Sequence, residues 1–256
     1  MNGIERIERA LRRGTDPRPR LAAYLTGGYP TPEAFPDLLA AAATEADLIE
    51  VGVPFSDPVA DGVTIAQASR VSLEQGTTLP GILDTLDRLR LDTPVVLMSY
   101  LNPLLAMGID RLATRAEEVG VCGFIVPDLP LEESSLMRPA LDRHGLALIS
   151  LVTPLTPPAR LRRLCVASRG FVYAVTVAGI TGGQLDVADT LTAYLRRLRE
   201  VSSIPVMAGF GIRSAAQVQA LSDVADGVVV GSALIQAIRA GQAPEAFLRG
   251  LRGGHD

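Results

Sequence analysis

Eight short apolar runs recur along this chain of 256 residues, and each is followed by a segment of helical pattern. The runs are Leu21–Leu25, Leu48–Val53, Val95–Tyr100, Phe124–Val126, Leu146–Val152, Phe171–Val177, Pro205–Ala208 and Val228–Val230. They are rich in β-branched residues and nearly continuous, which is the pattern of parallel strands buried on both faces. Amphipathic segments lie between them, among them Asp110–Val119, Glu132–Arg143, Arg160–Ala167 and Leu191–Val201. Eight strands alternating with helices over about 250 residues is the content of an α/β chain closed into a (β/α)8 (TIM) barrel. An extra helix is expected at the N-terminus, where Ile4, Ile7 and Leu11 stand at helical spacing among charges. A doubly wound open sheet is the alternative, but no Gly-x-Gly-x-x-Gly follows the first run. No linker or shift in composition divides the chain, so residues 1–256 are expected to form one barrel domain.

Composition narrows the chemistry. Hydrophobic residues make up 48%, charged residues 20%, and the formal net charge is −4. That balance suits an ordinary folded, soluble, mildly acidic protein with a large core and argues against nucleic acid as a partner. No apolar run has the length of a membrane span, and Met1–Arg13 lacks a secretory core, so no membrane contact and a cytoplasmic location are expected. All 24 basic residues are arginine. Without lysine there is no Schiff-base catalysis, no covalently held pyridoxal cofactor and no Walker-type phosphate lysine. Histidine occurs only at His144 and His255, which argues against a histidine triad or a His-rich metal site, so neither cofactor nor metal is expected. Cys122 and Cys165 are far apart and read as reduced thiols.

Carboxylates, hydroxyls, arginines and the backbone remain. Glu50 interrupts the second apolar run, where a carboxylate is costly unless it is hydrogen-bonded or protonated. It is either a satisfied core glutamate or a general acid–base whose pKa is raised by apolar surroundings. Asp61, in the long connection after that run, is by itself a turn or helix-cap residue. Beside Glu50 it becomes a second carboxylate on the same rim, able to hold a polar N–H of a substrate. A second long connection spans Ala178–Gln184. Glycine clusters at Gly179–Gly183, Gly209–Gly211 and Gly231–Ala233 follow runs six to eight, where barrels commonly bind phosphate through backbone N–H groups. A phosphorylated small molecule is thus the expected ligand class, with Ser232 as a hydroxyl contact or a helix cap. Tyr24, Tyr100, Tyr173 and Phe210 fall near run ends and furnish either an aromatic-friendly pocket or ordinary packing.

The block Leu48-Ile49-Glu50-Val51-Gly52-Val53-Pro54-Phe55-Ser56-Asp57-Pro58-Val59-Ala60-Asp61-Gly62 closely resembles the signature of the tryptophan synthase alpha subunit family. The resemblance extends through Tyr24–Pro30, Ser99–Pro103, Pro127–Glu133, Gly179–Gly182, Gly209–Ile212 and Gly231–Ala233, in the family's order and across nearly the whole chain. It implies a lyase that splits indole-3-glycerol phosphate into indole and glyceraldehyde 3-phosphate, the alpha reaction of L-tryptophan biosynthesis. Carried over by position, Glu50 matches the general acid–base, Asp61 the carboxylate that stabilises the indole N–H, and Tyr173 the active-site tyrosine. Tyr24, Ile65, Met98, Tyr100, Ile125 and Phe210 match the indole pocket. Thr181, Gly182, Gly211, Gly231 and Ser232 match phosphate-binding positions. The resemblance also implies a beta subunit in an alpha2beta2 complex, contacting regions that include Pro54, Phe55, Asp57, Asn102 and Pro103. A stand-alone indole-releasing lyase, or a weakly catalytic subunit that mainly activates a partner, are the alternatives.

Retro-aldol cleavage needs an electron sink. Lysine iminium and metal are the sinks of other aldolases, whereas a C3-protonated indole serves as its own. Two departures from the family pattern stand out. Val177 and Ala178 replace an arginine and a serine of some members, and Tyr29 replaces an aspartate.

Overall fold

The computed structural model describes residues 1–15, 18–176, 184–209 and 211–253, with no account of the side chains of residues 184–189. Eight parallel strands close into a barrel in sequence order: β1 (Arg20–Thr26), β2 (Leu48–Gly52), β3 (Val95–Met98), β4 (Val121–Ile125), β5 (Ala147–Val152), β6 (Val172–Val175), β7 (Val206–Gly209) and β8 (Gly227–Val230). Closure is made by β1 against β8, with Arg20 opposite Gly227 and Ala23 opposite Val230.

The continuous apolar runs are explained by two cores. Leu21, Ala23, Leu25, Ile49, Val51 and Leu97 point outward into the layer shared with the helices. Alternate residues Ala22, Leu48, Val96, Met207 and Val229 point inward and fill the barrel with Phe171 and Tyr173. Period-two geometry therefore consumes apolar residues on both faces.

The N-terminal helix Gly3–Leu11 forms as expected, with a capping box in which the Asn2 side chain accepts from the Glu5 N–H and the Glu5 carboxylate accepts from the Asn2 N–H. Its Ile7 and Leu11 are fully buried against the inward core, so the helix stoppers the N-terminal end of the barrel. Arg6 fastens it there, donating to the carbonyls of Gly120 and Asp92 at 3.2 and 3.1 Å. Gly3 lies so close to β4 that a Cβ would stand 2.7 Å from the Cys122 carbonyl oxygen.

Two elements differ from expectation. The fourth strand starts at Val121 rather than Phe124, because Gly123 interrupts the apolar run while the pairing continues past it, Val95 with Val121 and Val96 with Gly123, through a register shift at Cys122. The helix expected over Glu132–Arg143 is a 3-10 turn, Leu131–Leu136, followed by a short helix, Arg138–Arg143. Pro139 has no N–H to donate back to the preceding turn, and Met137, at φ −120°, leaves helical geometry, so the helix restarts at Arg138. Among the described residues no helix is long and apolar enough to cross a membrane.

Candidate active site

Glu50 sits at the middle of β2, inward between Leu48 and Gly52, opposite Tyr24 of β1 and Val96 of β3. It is fully buried, and among the described residues neither carboxylate oxygen has a hydrogen-bond partner. Burial, with a smaller push from the charge of Asp61, raises its pKa to about 8. It is therefore mostly a neutral carboxylic acid at neutral pH. Burial also raises the Tyr24 and Tyr173 hydroxyls, so both remain protonated. Room for these two rings comes from glycines at strand ends. A Cβ on Gly52 would overlap the Tyr24 hydroxyl, and one on Gly209 would overlap the Tyr173 ring.

Asp61 lies in the connection between β2 and the helix Val63–Glu74. Tyr100, at the exit of β3, holds that connection. Its hydroxyl donates to Asp61 at 3.2 Å and accepts from the Ala60 N–H at 2.8 Å. Its ring stacks on Phe55, centroids 5.0 Å apart. Partial burial raises the pKa of Asp61, and the Tyr100 hydrogen bond opposes that rise.

A cavity of about 390 Å³ opens at the C-terminal mouth. Of the residues expected from sequence, Tyr24, Glu50, Asp61, Ile65, Met98, Tyr173, Gly211, Gly231 and Ser232 line it. Tyr100 stands behind Asp61, outside the lining. Ile125, fully buried at the end of β4 beside Met98, is not among the residues that line the cavity. Thr181, Gly182 and Phe210, together with Val177, Ala178 and the rest of 177–183, lie outside the described residues. Of the expected partner contacts, Asp57 and Asn102 are exposed, Phe55 and Pro103 half-buried, and Pro54 buried.

The lining also holds Ala60, Val175, Thr176, Ile212, Arg213, Val229 and Ala233, which sequence reasoning misses. Val175 has a usable signal, since it stands two positions beyond Tyr173 on the same strand face. At the opposite end of the barrel, Arg12, Arg199 and Asp226 border a larger hollow of about 620 Å³. Among the described residues no buried acid–base group lines it, in contrast to the C-terminal mouth. Nor, among the described residues, is any cluster of three or more His, Cys, Asp or Glu placed to hold a metal ion.

The mouth thus combines a neutral buried acid, a half-buried carboxylate acceptor, and apolar walls from Ile65, Met98 and Val229. On the far side stand Gly211, at φ +81°, and the N-terminus of the helix Ser232–Arg239, whose N-cap Gly231 supplies no side-chain cap. Uncapped N–H groups at a helix start bind anions.

The family model described as tryptophan synthase alpha chain matches residues 12–251. The chain is 46% identical over 252 residues to the tryptophan synthase alpha chain of Nitratidesulfovibrio vulgaris (strain DP4), covering 95% of this chain and 96% of that one. It is 42% identical over 237 residues to that of Bacillus cereus (strain AH820), covering 91% of each. Among solved structures, tryptophan synthase subunit alpha from Legionella pneumophila superposes with a TM-score of 0.88 at 32% identity, over 99% of this chain and 98% of that one. Tryptophan synthase from M. tuberculosis in an aminoacrylate-bound form gives 0.87 at 34%, over 98% of each chain.

Proposed function

The chain belongs to the tryptophan synthase alpha chain family, and on that premise we propose that Glu50 and Asp61 carry the family's reaction at the mouth of this barrel. The enzyme is a lyase that cleaves indole-3-glycerol phosphate to indole and glyceraldehyde 3-phosphate in tryptophan biosynthesis.

In the proposed cycle the Glu50 carboxylic acid delivers its proton to indole C3, giving an indolenine with positive charge at N1. The bond from C3 to the side-chain carbon then breaks. Its electron pair restores the aromatic ring, and the side-chain hydroxyl becomes an aldehyde as its proton passes to the Glu50 carboxylate. One proton enters and one leaves, so Glu50 ends as it began. Asp61 accepts the N1–H and offsets the charge that develops there. Tyr173 and Tyr24 flank the ring, and Gly211, Gly231 and Ser232 offer N–H groups to the phosphate, together with Thr181 and Gly182. The observation that carries this assignment is Glu50 itself: a fully buried acid with no hydrogen-bond partner among the described residues and a pKa near 8, lining the cavity beside Asp61. An acid of this kind is matched to proton transfer near neutral pH.

A beta subunit is the implied partner, and an alpha2beta2 assembly docking near Pro54, Phe55, Asp57, Asn102 and Pro103 is part of the proposal. Its support is apolar exposure next to these residues: Val59 is 85% exposed, Val63 75% and Leu105 44%. The proposal also treats residues 1–256 as one domain working in the cytoplasm. The direct test is incubation of the purified chain with indole-3-glycerol phosphate, with and without a beta subunit. Indole release supports the reading, and its absence under both conditions overturns it.

A further inference from the structure

The described lining of the cavity contains one cation, Arg213, and two carboxyl groups, Glu50 and Asp61. A phosphate monoester carries close to two negative charges at neutral pH. Backbone N–H groups supply partial charges only, so a substrate of this kind entering past Asp61 meets a carboxylate with little to offset it. Arg213 alters that balance. It follows β7 two residues beyond Gly211, and it lines the cavity with Gly231 and Ser232 on the same side. Its backbone N–H donates to Gln217 Oε1 at 2.7 Å, which ties down the main chain at the cavity edge, and its side chain is exposed there. Many other arginines of this chain are engaged with carboxylates, as in Arg160 with Glu132 or Arg252 with Asp47.

We propose that the Arg213 guanidinium is a cationic contact for the phosphate of the substrate, added to the backbone cradle and setting the preference of the site for a phosphorylated side chain. The inference rests on the functional reading above. A guanidinium offers a planar pair of donors matched to two phosphate oxygens, whereas the N–H groups at Gly211 and the helix start approach from the backbone side. Because Arg213 is exposed, the attraction is screened by salt.

The test compares Arg213→Gln and Arg213→Lys with the parent chain. Arg213→Gln raises KM for indole-3-glycerol phosphate by about three- to tenfold, with the loss falling on KM rather than kcat. Arg213→Lys recovers part of it, and the penalty shrinks as salt rises from about 0.05 to about 0.5 M. Calorimetric titration with glycerol 3-phosphate and with inorganic phosphate needs no turnover and shows the same weakening in Arg213→Gln, while affinity for free indole is unchanged. Equal phosphate affinity in parent and Arg213→Gln overturns the inference. So does a penalty that neither salt nor lysine moves, which marks a structural role. A parent chain that binds glycerol 3-phosphate through Arg213 yet releases no indole defeats the functional reading and leaves Arg213 as an anion contact.

Discussion

At the scale of single residues, the role proposed for Glu50 ties activity and stability to one titration. Glu50→Gln keeps the shape and loses the proton, so indole release is expected to fall by about 10²–10⁴-fold while KM changes little. Steady-state indole production checks this. In the parent, the acid form is lost as pH rises through about 8, which places an alkaline limb there in the rate profile. Stability follows the same group. The folded-state pKa of about 8 stands above the ordinary value of 4.5. Between those values the folded chain holds a proton at Glu50 that the unfolded chain has released. Stability therefore falls as pH rises through that window, by at most about 1.4 kcal/mol per pH unit from this group. Glu50→Gln removes that slope, so urea midpoints measured across this range flatten and the variant becomes more stable than the parent at the upper end. Midpoints with the same slope in both chains contradict the placement of Glu50 as a buried neutral acid.

Glu50 stands out in the sequence as a lone carboxylate in an apolar strand, but whether it is a satisfied core glutamate is decided only by the structure, where its oxygens have no partner among the described residues. Asp61 is not legible on its own, since Asp-Gly after a strand is an ordinary turn, and only the surrounding block gives it a role. Arg213 is silent for a different reason: an arginine after a glycine cluster carries no signal until the cavity shows which way the chain turns.

At the scale of elements, Tyr100 binds two loops into one device. It closes β3, stacks on Phe55 and bonds to both Ala60 and Asp61, partners about 40 positions away in sequence. No local pattern announces such a contact. Its placement fixes the connection that separates Glu50 from Asp61. Tyr100→Phe retains the stack on Phe55 and deletes the hydroxyl, so the fold persists while Asp61 loses its positioning bond. A drop in kcat of about tenfold is expected, corresponding to about 1.4 kcal/mol, with a change in Tm of only a few degrees. Paired assays of indole release and thermal unfolding test it, and an unchanged kcat refutes the positioning role. Element boundaries show the same division between local and tertiary signals. The eight strands are readable from apolar continuity, yet that signal starts β4 too late, since Gly123 interrupts it and the register shift between Val95 and Val96 passes over Cys122.

At the scale of the whole molecule, composition decides which chemistries are open. A chain whose 24 basic residues are all arginine forms no imine with its substrate through a side chain, so treatment with borohydride in the presence of substrate leaves cleavage intact. Irreversible loss of activity under that treatment defeats the acid–base cycle. The same scale holds the expected response to a partner. The rim segments that expose Val59, Val63 and Leu105 flank the connection that carries Asp61. Titrating a beta subunit into the chain is expected to raise kcat, each tenfold gain corresponding to about 1.4 kcal/mol of shift toward the competent arrangement. A rate already high and indifferent to titration favours the stand-alone lyase.

The N-terminal helix, packed through Ile7 and Leu11 into the base of the barrel, has a consequence for traffic. With that end covered, the way to Glu50 among the described residues lies at the C-terminal mouth. A change at the base of the barrel is then expected to be felt as lost stability, and one at the mouth as altered traffic of small molecules.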